Sequence, residues 1–299
     1  MATRAWIVAA LLLPLGTWAT DLGSSQSFMA AAPAAAGTAA QSGGGPGSRW
    51  AFEGNYRDSA GRNHGRPVGD VGFSSDHAPV LGSLQSLRLS NAEFFVHDYV
   101  LVADSPSLDV DPDEATTIAL WVKIRGEPSY ASDYHILGKR DQCQRMNYQL
   151  ASDYGGYHFN AFDGNRVDTA YRWGLPTGRW VHLAVTYEPT AGDLLMYVDG
   201  LVAGSAAGYT LYAVNDAPLT IGDSGQEACP FRGLPGLIDD VRLYDRALTA
   251  AEVAELATPR PATRKECQRG GWHAFPGFKN QGDCVSYVAT GGRNPPASP

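Results

Sequence analysis

Residues 178–200 read GRWVHLAVTYEPTAGDLLMYVDG, and this stretch decides the fold. Val181, Leu183, Val185 and Tyr187 recur at every second position, with Trp180, His182, Ala184 and Thr186 between them. That is the period of a strand with two unlike faces. Residues 189–193 break the pattern. Leu194, Met196 and Val198 then alternate with Leu195 and Tyr197 in a second strand, and Asp199-Gly200 follows. Asp-Gly favours a type I′ turn because both central residues adopt positive φ. A third short strand over 201–205 completes a meander. Consecutive strands joined by tight turns predict an all-β sandwich of antiparallel sheets.

The same signature extends outward on both sides. Strand candidates fall at 86–89, 99–102, 116–124, 135–139, 148–151, 157–161, 180–187, 194–198, 218–221 and 236–244, at the short spacing of a sandwich or jelly roll. A helix is predicted at 249–257. Thr249 and Glu252 stand in capping-box relation, and Ala250, Val253, Ala254 and Leu256 form its apolar stripe. Pro259 and Pro261 stop it. The β body therefore occupies 49–257, with a linker at 258–264 and a small cysteine-bearing motif at 265–290.

Upstream of the body, Arg4 precedes an apolar run from Ala5 to Leu15 and small residues around Ala19, the layout of a secretory signal peptide over 1–19. Residues 20–48, rich in Ala, Gly, Ser and Pro, bury too little apolar surface to offset ordering and are expected to form a disordered linker. No later apolar stretch approaches the ~20 residues of a membrane-spanning helix. A secreted, extracellular protein is expected.

Residues 49–257 carry 16 Lys+Arg against 28 Asp+Glu, whereas 258–299 carry 6 against 2. An acidic body lacks the basic footprint that nucleic acid requires, and suits a neutral sugar or a divalent cation better than an anionic polymer.

Four cysteines in an exported chain allow three pairings of two disulfides. The spacing favours Cys143–Cys229 within the body and Cys267–Cys284 in the C-terminal motif. No pair has C-x-x-C spacing and only His273 lies near the last two, which disfavours zinc.

Four segments carry a family resemblance: WAFEGNYRDSAGRNHG at 50–65, DYVLVADSPSLDV at 98–110, WVHLAVTYEPTAGDLLMYVDG at 180–200 and GLIDDVRLYDRALTAAEV at 236–253. With the strand ATTIALWVKI at 115–124 between them, they follow in order the plan of the bacterial secreted laminin-G-like domain. The chain thus resembles the concanavalin A-like lectin/glucanase jelly roll over the whole body. CQRGGWHAFPGFKNQGDCVSYV at 267–288 resembles a small cysteine-paired motif appended to exported bacterial proteins, to be held by its disulfide and by Trp272, Phe275 and Phe278.

The resemblance implies a structural Ca²⁺ that ties the first strand of the body to the last, with Glu53 and Asp239 as ligands and a carbonyl near Gly54 or Asn55 completing the shell. Asp58 and Asn63, in the adjoining turn, are alternatives. Asp239 stands in phase with Leu237, Val241 and Leu243, and a carboxylate on a buried face needs a partner or a metal. In the competing reading Asp239 and Asp240 face solvent at a strand edge, or pair with Arg242 or Arg57. Loops around Asp98, Asp104, Asp163 and Asn165 offer a second cation site, which ordinary Asx turns explain equally well.

Sugar recognition wants exposed aromatic faces beside amide or carboxylate partners. Residues 130–173 are enriched in both, and Tyr154, Tyr157, Tyr171 and Trp173 are the ligand-binding candidates. A catalytic set is not found. The E-x-D-x-x-E and E-x-D-x-E strands of glucanases are missing, as is the G-x-S-x-G elbow. His182 occupies the WVH position, which the family uses for packing. The expected function is a secreted, non-catalytic, calcium-stabilised module that binds carbohydrate or a cell-surface glycan or protein. A glycan-active hydrolase or lyase on the same fold, or an extracellular protein-interaction or adhesion module, is the alternative.

Overall fold

The predicted meander forms as Val181–Glu188, Asp193–Val198 and Leu201–Ala206, paired antiparallel in sequence order. Its Asp-Gly turn has φ 49° at Asp199 and 80° at Gly200, both positive as a type I′ turn demands. The computed structural model describes residues 44–296 except 92–95, 126–133, 141–145, 154–155, 161–165, 169–175, 209–213 and 226–231. The expected Cys143–Cys229 bridge, the candidates Tyr154, Tyr171 and Trp173, Asp163 and Asn165, and residues 1–43 lie outside the described residues.

In chain order the strands are β1 Ser48–Trp50, β2 Gly65–Val68, β3 Gly72–Ser74, β4 Ser86–Leu89, β5 Tyr99–Val102, β6 Thr116–Ile124, β7 Tyr134–Arg140 and β8 Met146–Asp153. They continue as β9 Gly156–Asn160, β10 Arg166–Asp168, β11 Val181–Glu188, β12 Asp193–Val198, β13 Leu201–Ala206, β14 Leu219–Ile221, β15 Arg232–Gly233 and β16 Gly236–Tyr244. Among the described residues they make two eight-stranded sheets. The first runs β13-β12-β11-β6-β16-β4-β3, with β1 beside β16; the second runs β10-β9-β8-β7-β14-β5-β2, with β15 beside β7. All pairings are antiparallel except β15 with β7. Trp50 on β1 pairs with Val241 on β16, so the first and last strands of the body lie side by side.

One core fills the space between the sheets. Val181, Leu183, Val185 and Tyr187 of β11 meet Tyr148, Leu150, Tyr157 and Phe159 of the second sheet there. A second, smaller cluster lies outside the first sheet, where Ala184 and Tyr197 pack against the helix α1 (Ala250–Ala257) through Val253. Thr249 caps α1: its side chain accepts the Glu252 amide at 3.3 Å, while Glu252 accepts the Thr249 amide at 2.8 Å. Beyond it come α2 (Arg264–Cys267) and α3 (Gln281–Ala289), joined by the Cys267–Cys284 disulfide. Among the described residues no helix is long and apolar enough to cross a membrane.

Two expectations require correction. Asp239 does not share a face with Val241 and Leu243. Asp240 has φ 48°, and the register of β16 on β6 slips between Asp239 and Arg242. The bulge shifts the alternation by one. Val241 and Leu243 enter the core, whereas Asp239 pairs with Trp121 on the outer face. Tyr157 is also misplaced as a ligand-binding ring. It lies wholly in the core, and alternation along β9 turns His158 outward in its stead.

Candidate functional site

Two places gather polar chemistry. The first lies outside the first sheet, beneath the loop 76–85. Asp239 is 0 % exposed, and its Oδ2 accepts the Ala78 amide and the Ser83 hydroxyl, each at 2.9 Å. Among the described residues its buried Oδ1 finds no partner. Burial pushes the Asp239 carboxyl up to about 7, against the pull of those two hydrogen bonds. Glu53 reaches the same loop, where its Oε1 accepts the amides of Leu84 at 2.9 Å and Gln85 at 3.4 Å. The two carboxylates expected to hold a metal therefore both grip one loop. Among the described residues no three His, Cys, Asp or Glu side chains converge as a metal site. A cation here would take the Asp239 Oδ1, Glu53 and main-chain carbonyls.

The alternative ligands are spent elsewhere. Asp58 Oδ1 accepts the amides of Arg49, Ala60 and Gly61, and Oδ2 accepts that of Asn63. Burial raises its pKa, but these bonds outweigh it and the net shift is downward. The Asn63 side-chain Nδ2 donates to the Ser48 and Ser107 hydroxyls. Asp240 is buried between Arg49 at 2.7 Å and Arg242 at 2.7 Å, so Arg242 is its partner as expected, and Arg49 takes the place foreseen for Arg57. Burial alone would raise the Asp240 carboxyl; the two guanidinium charges bring it below its ordinary value. His182 is buried edge-on to Trp121, with ring centroids 5.2 Å apart, and desolvation lowers it to about 3. It packs as a neutral ring.

The second place is the outer face of the second sheet. The register sets Asn160, Gln149, Gly138, Thr220 and Leu101 in one row across β9, β8, β7, β14 and β5. His158, Ala151 and His135 form the next row. Arg140 donates to Gln149 Oε1 at 2.8 Å, and His135 Nε2 lies 3.1 Å from Thr220 Oγ1. Burial lowers Arg140 to about 10 and His135 to about 3, so the guanidinium stays charged and the imidazole neutral at pH 7. Beside this row opens a cavity of about 560 Å³, lined among others by Tyr99, Leu101, Arg140, Asn215, Asp216 and Thr220. That mixture of an aromatic ring, an apolar side chain and several donors and acceptors suits a hydroxyl-rich ligand. The outer positions of β14, β7, β8 and β9 in these rows carry no carboxylate, so they hold no acid–nucleophile pair of the glycosidase kind.

Buried charge also braces the rim. Asp98 accepts the Asp70 amide, while its own amide donates to Asn91 Oδ1. Asp223 accepts the Gly225 amide at 2.6 Å and lies 3.0 Å from His97 Nδ1. Burial raises the Asp223 carboxyl, and the nearby Asp98 charge adds to it. Asp223 is not singled out by the sequence, where Gly222-Asp223-Ser224-Gly225 only lacks the spacing of a G-x-S-x-G elbow. Asp104 is not set for a cation of its own: with Asp109 it flanks the buried Lys139 Nζ, each at 2.5 Å.

Comparison with known proteins agrees with this architecture. The family described as "Concanavalin A-like lectin/glucanases superfamily" (Laminin_G_3) matches residues 96–254. Sushi, von Willebrand factor type A, EGF and pentraxin domain-containing protein 1 of Rattus norvegicus is 26 % identical over 172 residues, 55 % of this chain. The Mus musculus protein of the same name is 25 % identical over 170 residues. The match spans 4 % of the length of each of these relatives. Among solved structures, domain 4 of AbnA, a GH43 extracellular arabinanase from Geobacillus stearothermophilus in complex with arabinotriose, superposes with TM-score 0.55 at 19 % identity, covering 71 % of this chain and 98 % of that one. The binding domain of botulinum neurotoxin serotype G superposes with TM-score 0.54 at 16 % identity, covering 71 % of this chain and 50 % of that one. At these identities the likeness is one of fold.

Proposed function

The chain belongs to this laminin-G-like branch of the concanavalin A-like lectin/glucanase superfamily, and from that premise we propose that it is an extracellular, non-catalytic binding module for carbohydrate. Its ligand site lies at one edge of the outer side of the second sheet. The observation that carries this reading is the cavity beside β5 and β14, where Tyr99 and Leu101 supply apolar surface and Asn215, Asp216, Thr220 and Arg140 supply hydrogen bonds. Support comes from the neighbouring folds, one described in complex with arabinotriose and others described as binding domains. Glycan-array screening followed by calorimetry tests it. Binding should weaken at least about tenfold in Tyr99→Ala and Asn215→Ala, the loss of roughly one good contact each. Silence on the array, with capture of a purified cell-surface protein in its place, would favour the adhesion reading. Release of reducing ends from a polysaccharide panel would favour the enzyme.

Calcium is the second part of the proposal. The buried Asp239 Oδ1, without a partner among the described residues, fits one ligand position, Glu53 a second, and the adjacent main chain the rest. A bound Ca²⁺ would neutralise the buried carboxylate and tie the 76–85 loop to the last strand of the body.

A further inference from the structure

The loop 76–85 is gripped from a second side, by the C-terminal motif. Leu81 is its apolar tip and packs into the cluster built from Cys267, Phe278, Cys284 and Tyr287. Gly292, at φ +81°, leaves space for that side chain: a Cβ there would lie 3.0 Å from Leu81 Cδ2. Main-chain bonds frame the contact. The Arg260 amide donates to Pro79 O at 2.7 Å, and the Gly82 amide to Ala262 O at 3.4 Å. Glu266 accepts the Ala262 amide through Oε2 at 2.9 Å, and its Oε1 lies 3.7 Å from His77 Nε2. The Arg260 guanidinium stands 5.8 Å from the Tyr287 ring centroid.

A motif of about thirty residues cannot close a core by apolar burial alone and needs a covalent staple. Here the staple joins α2 to α3, and both cysteines are fully buried. Leu81 is the guest that completes this small core. The gripped residues, 79, 81 and 82, sit between those that bind the body's carboxylates: Ala78 and Ser83 on Asp239, Leu84 and Gln85 on Glu53. The loop cannot shift at one set without disturbing the other.

We propose that the C-terminal motif is an intramolecular clasp, a receptor for the tip of the 76–85 loop, and that its grip depends on the Cys267–Cys284 disulfide. Opening the bond frees the loop from above and loosens its bonds to Asp239 and Glu53 below. The opening reaction is thiol–disulfide exchange. A dithiol such as dithiothreitol gives two electrons and two protons to the sulfurs, leaving two protein thiols and the cyclic oxidised reagent.

Hydrogen exchange of the full chain, read by mass spectrometry, tests the clasp. Peptides spanning 77–85 should exchange on the order of tenfold faster in a Cys267→Ser/Cys284→Ser double variant, while β6 and β11 keep their protection. Leu81→Asp, which leaves the disulfide intact, should accelerate the same peptides. Should the double variant fail to fold, Leu81→Asp and the native chain treated with dithiothreitol decide the matter. Unchanged exchange over 77–85 in these samples overturns the clasp. So does acceleration spread evenly through the sandwich, which reports global opening.

Discussion

Asp239 accepts the Ser83 hydroxyl through Oδ2 at 2.9 Å, yet among the described residues its buried Oδ1 finds no partner. Half of the carboxylate is thus satisfied, so we expect the loop over β16 to respond to protons and, on the calcium proposal, to cations.

Proton sensitivity has a definite sign. The Asp239 carboxyl is raised from 3.8 to about 7 by burial, so between those values the folded chain holds a proton that the unfolded chain has lost. Stability should therefore fall as pH rises through that window and level off above it. Asp239→Asn should remove that part of the slope in urea midpoints measured from pH 4 to 8. A slope identical to that of the parent would contradict the assignment.

Cation sensitivity should run the opposite way. Protons and Ca²⁺ compete for the same oxygen, so calcium should raise Tm more at pH 8 than at pH 5. EDTA should reverse the gain, and Asp239→Asn should abolish it. A melting curve indifferent to EDTA at both pH values would sink the calcium proposal.

Lys139 is fully buried between Asp104 and Asp109, whose side chains are 34 % and 15 % exposed. Lys139→Ala removes the shared cation and leaves two carboxylates that water reaches only in part. We expect a loss of roughly 3 kcal/mol in urea unfolding, the lower end for breaking a buried pair, since solvent screens Asp104. A loss below about 0.5 kcal/mol would mean that the site behaves as a surface pair.

Gly200 serves two purposes. Its φ of +80° completes the type I′ turn, and a Cβ there would meet Ala254 Cα of α1 at 3.0 Å. Gly200→Ala should destabilise by more than about 1 kcal/mol, adding helix displacement to backbone strain. Asp199→Asn should cost less, because Asn tolerates a left-handed backbone. Thermal melts of the two variants provide the comparison.

Much of the sandwich could be read along the chain because each long strand carries its own period. The strands Tyr99–Val102, Thr116–Ile124 and Gly236–Tyr244 match the predicted spans, as does the helix after its Thr249 cap. The strands that escaped notice, β1, β2, β3, β10 and β15, have two to four residues each. Such segments carry too few alternations to register and exist because a partner strand holds them. The Cys267–Cys284 pairing followed from spacing, whereas Leu81 as its guest did not: it arrives from almost two hundred residues upstream.

The candidate site was less legible. Tyr157 and His158 alternate correctly, but alternation separates two faces without saying which one meets the opposite sheet. Trp180, which shares the alternation of β11, is half-buried, its Nε1 donating to Asp76 at the loop. At Asp239 the pattern itself misled, since a single left-handed residue, Asp240, inverts the phase of the rest of the strand.

Local order in the chain was therefore enough to establish strands, turns, the helix cap and the family they compose, because those depend on neighbours a few residues apart. Tertiary structure alone decided which face each strand buries, which carboxylates find partners and what the C-terminal motif holds. Those outcomes turn on desolvation and contact between segments remote in sequence, and no local period encodes them.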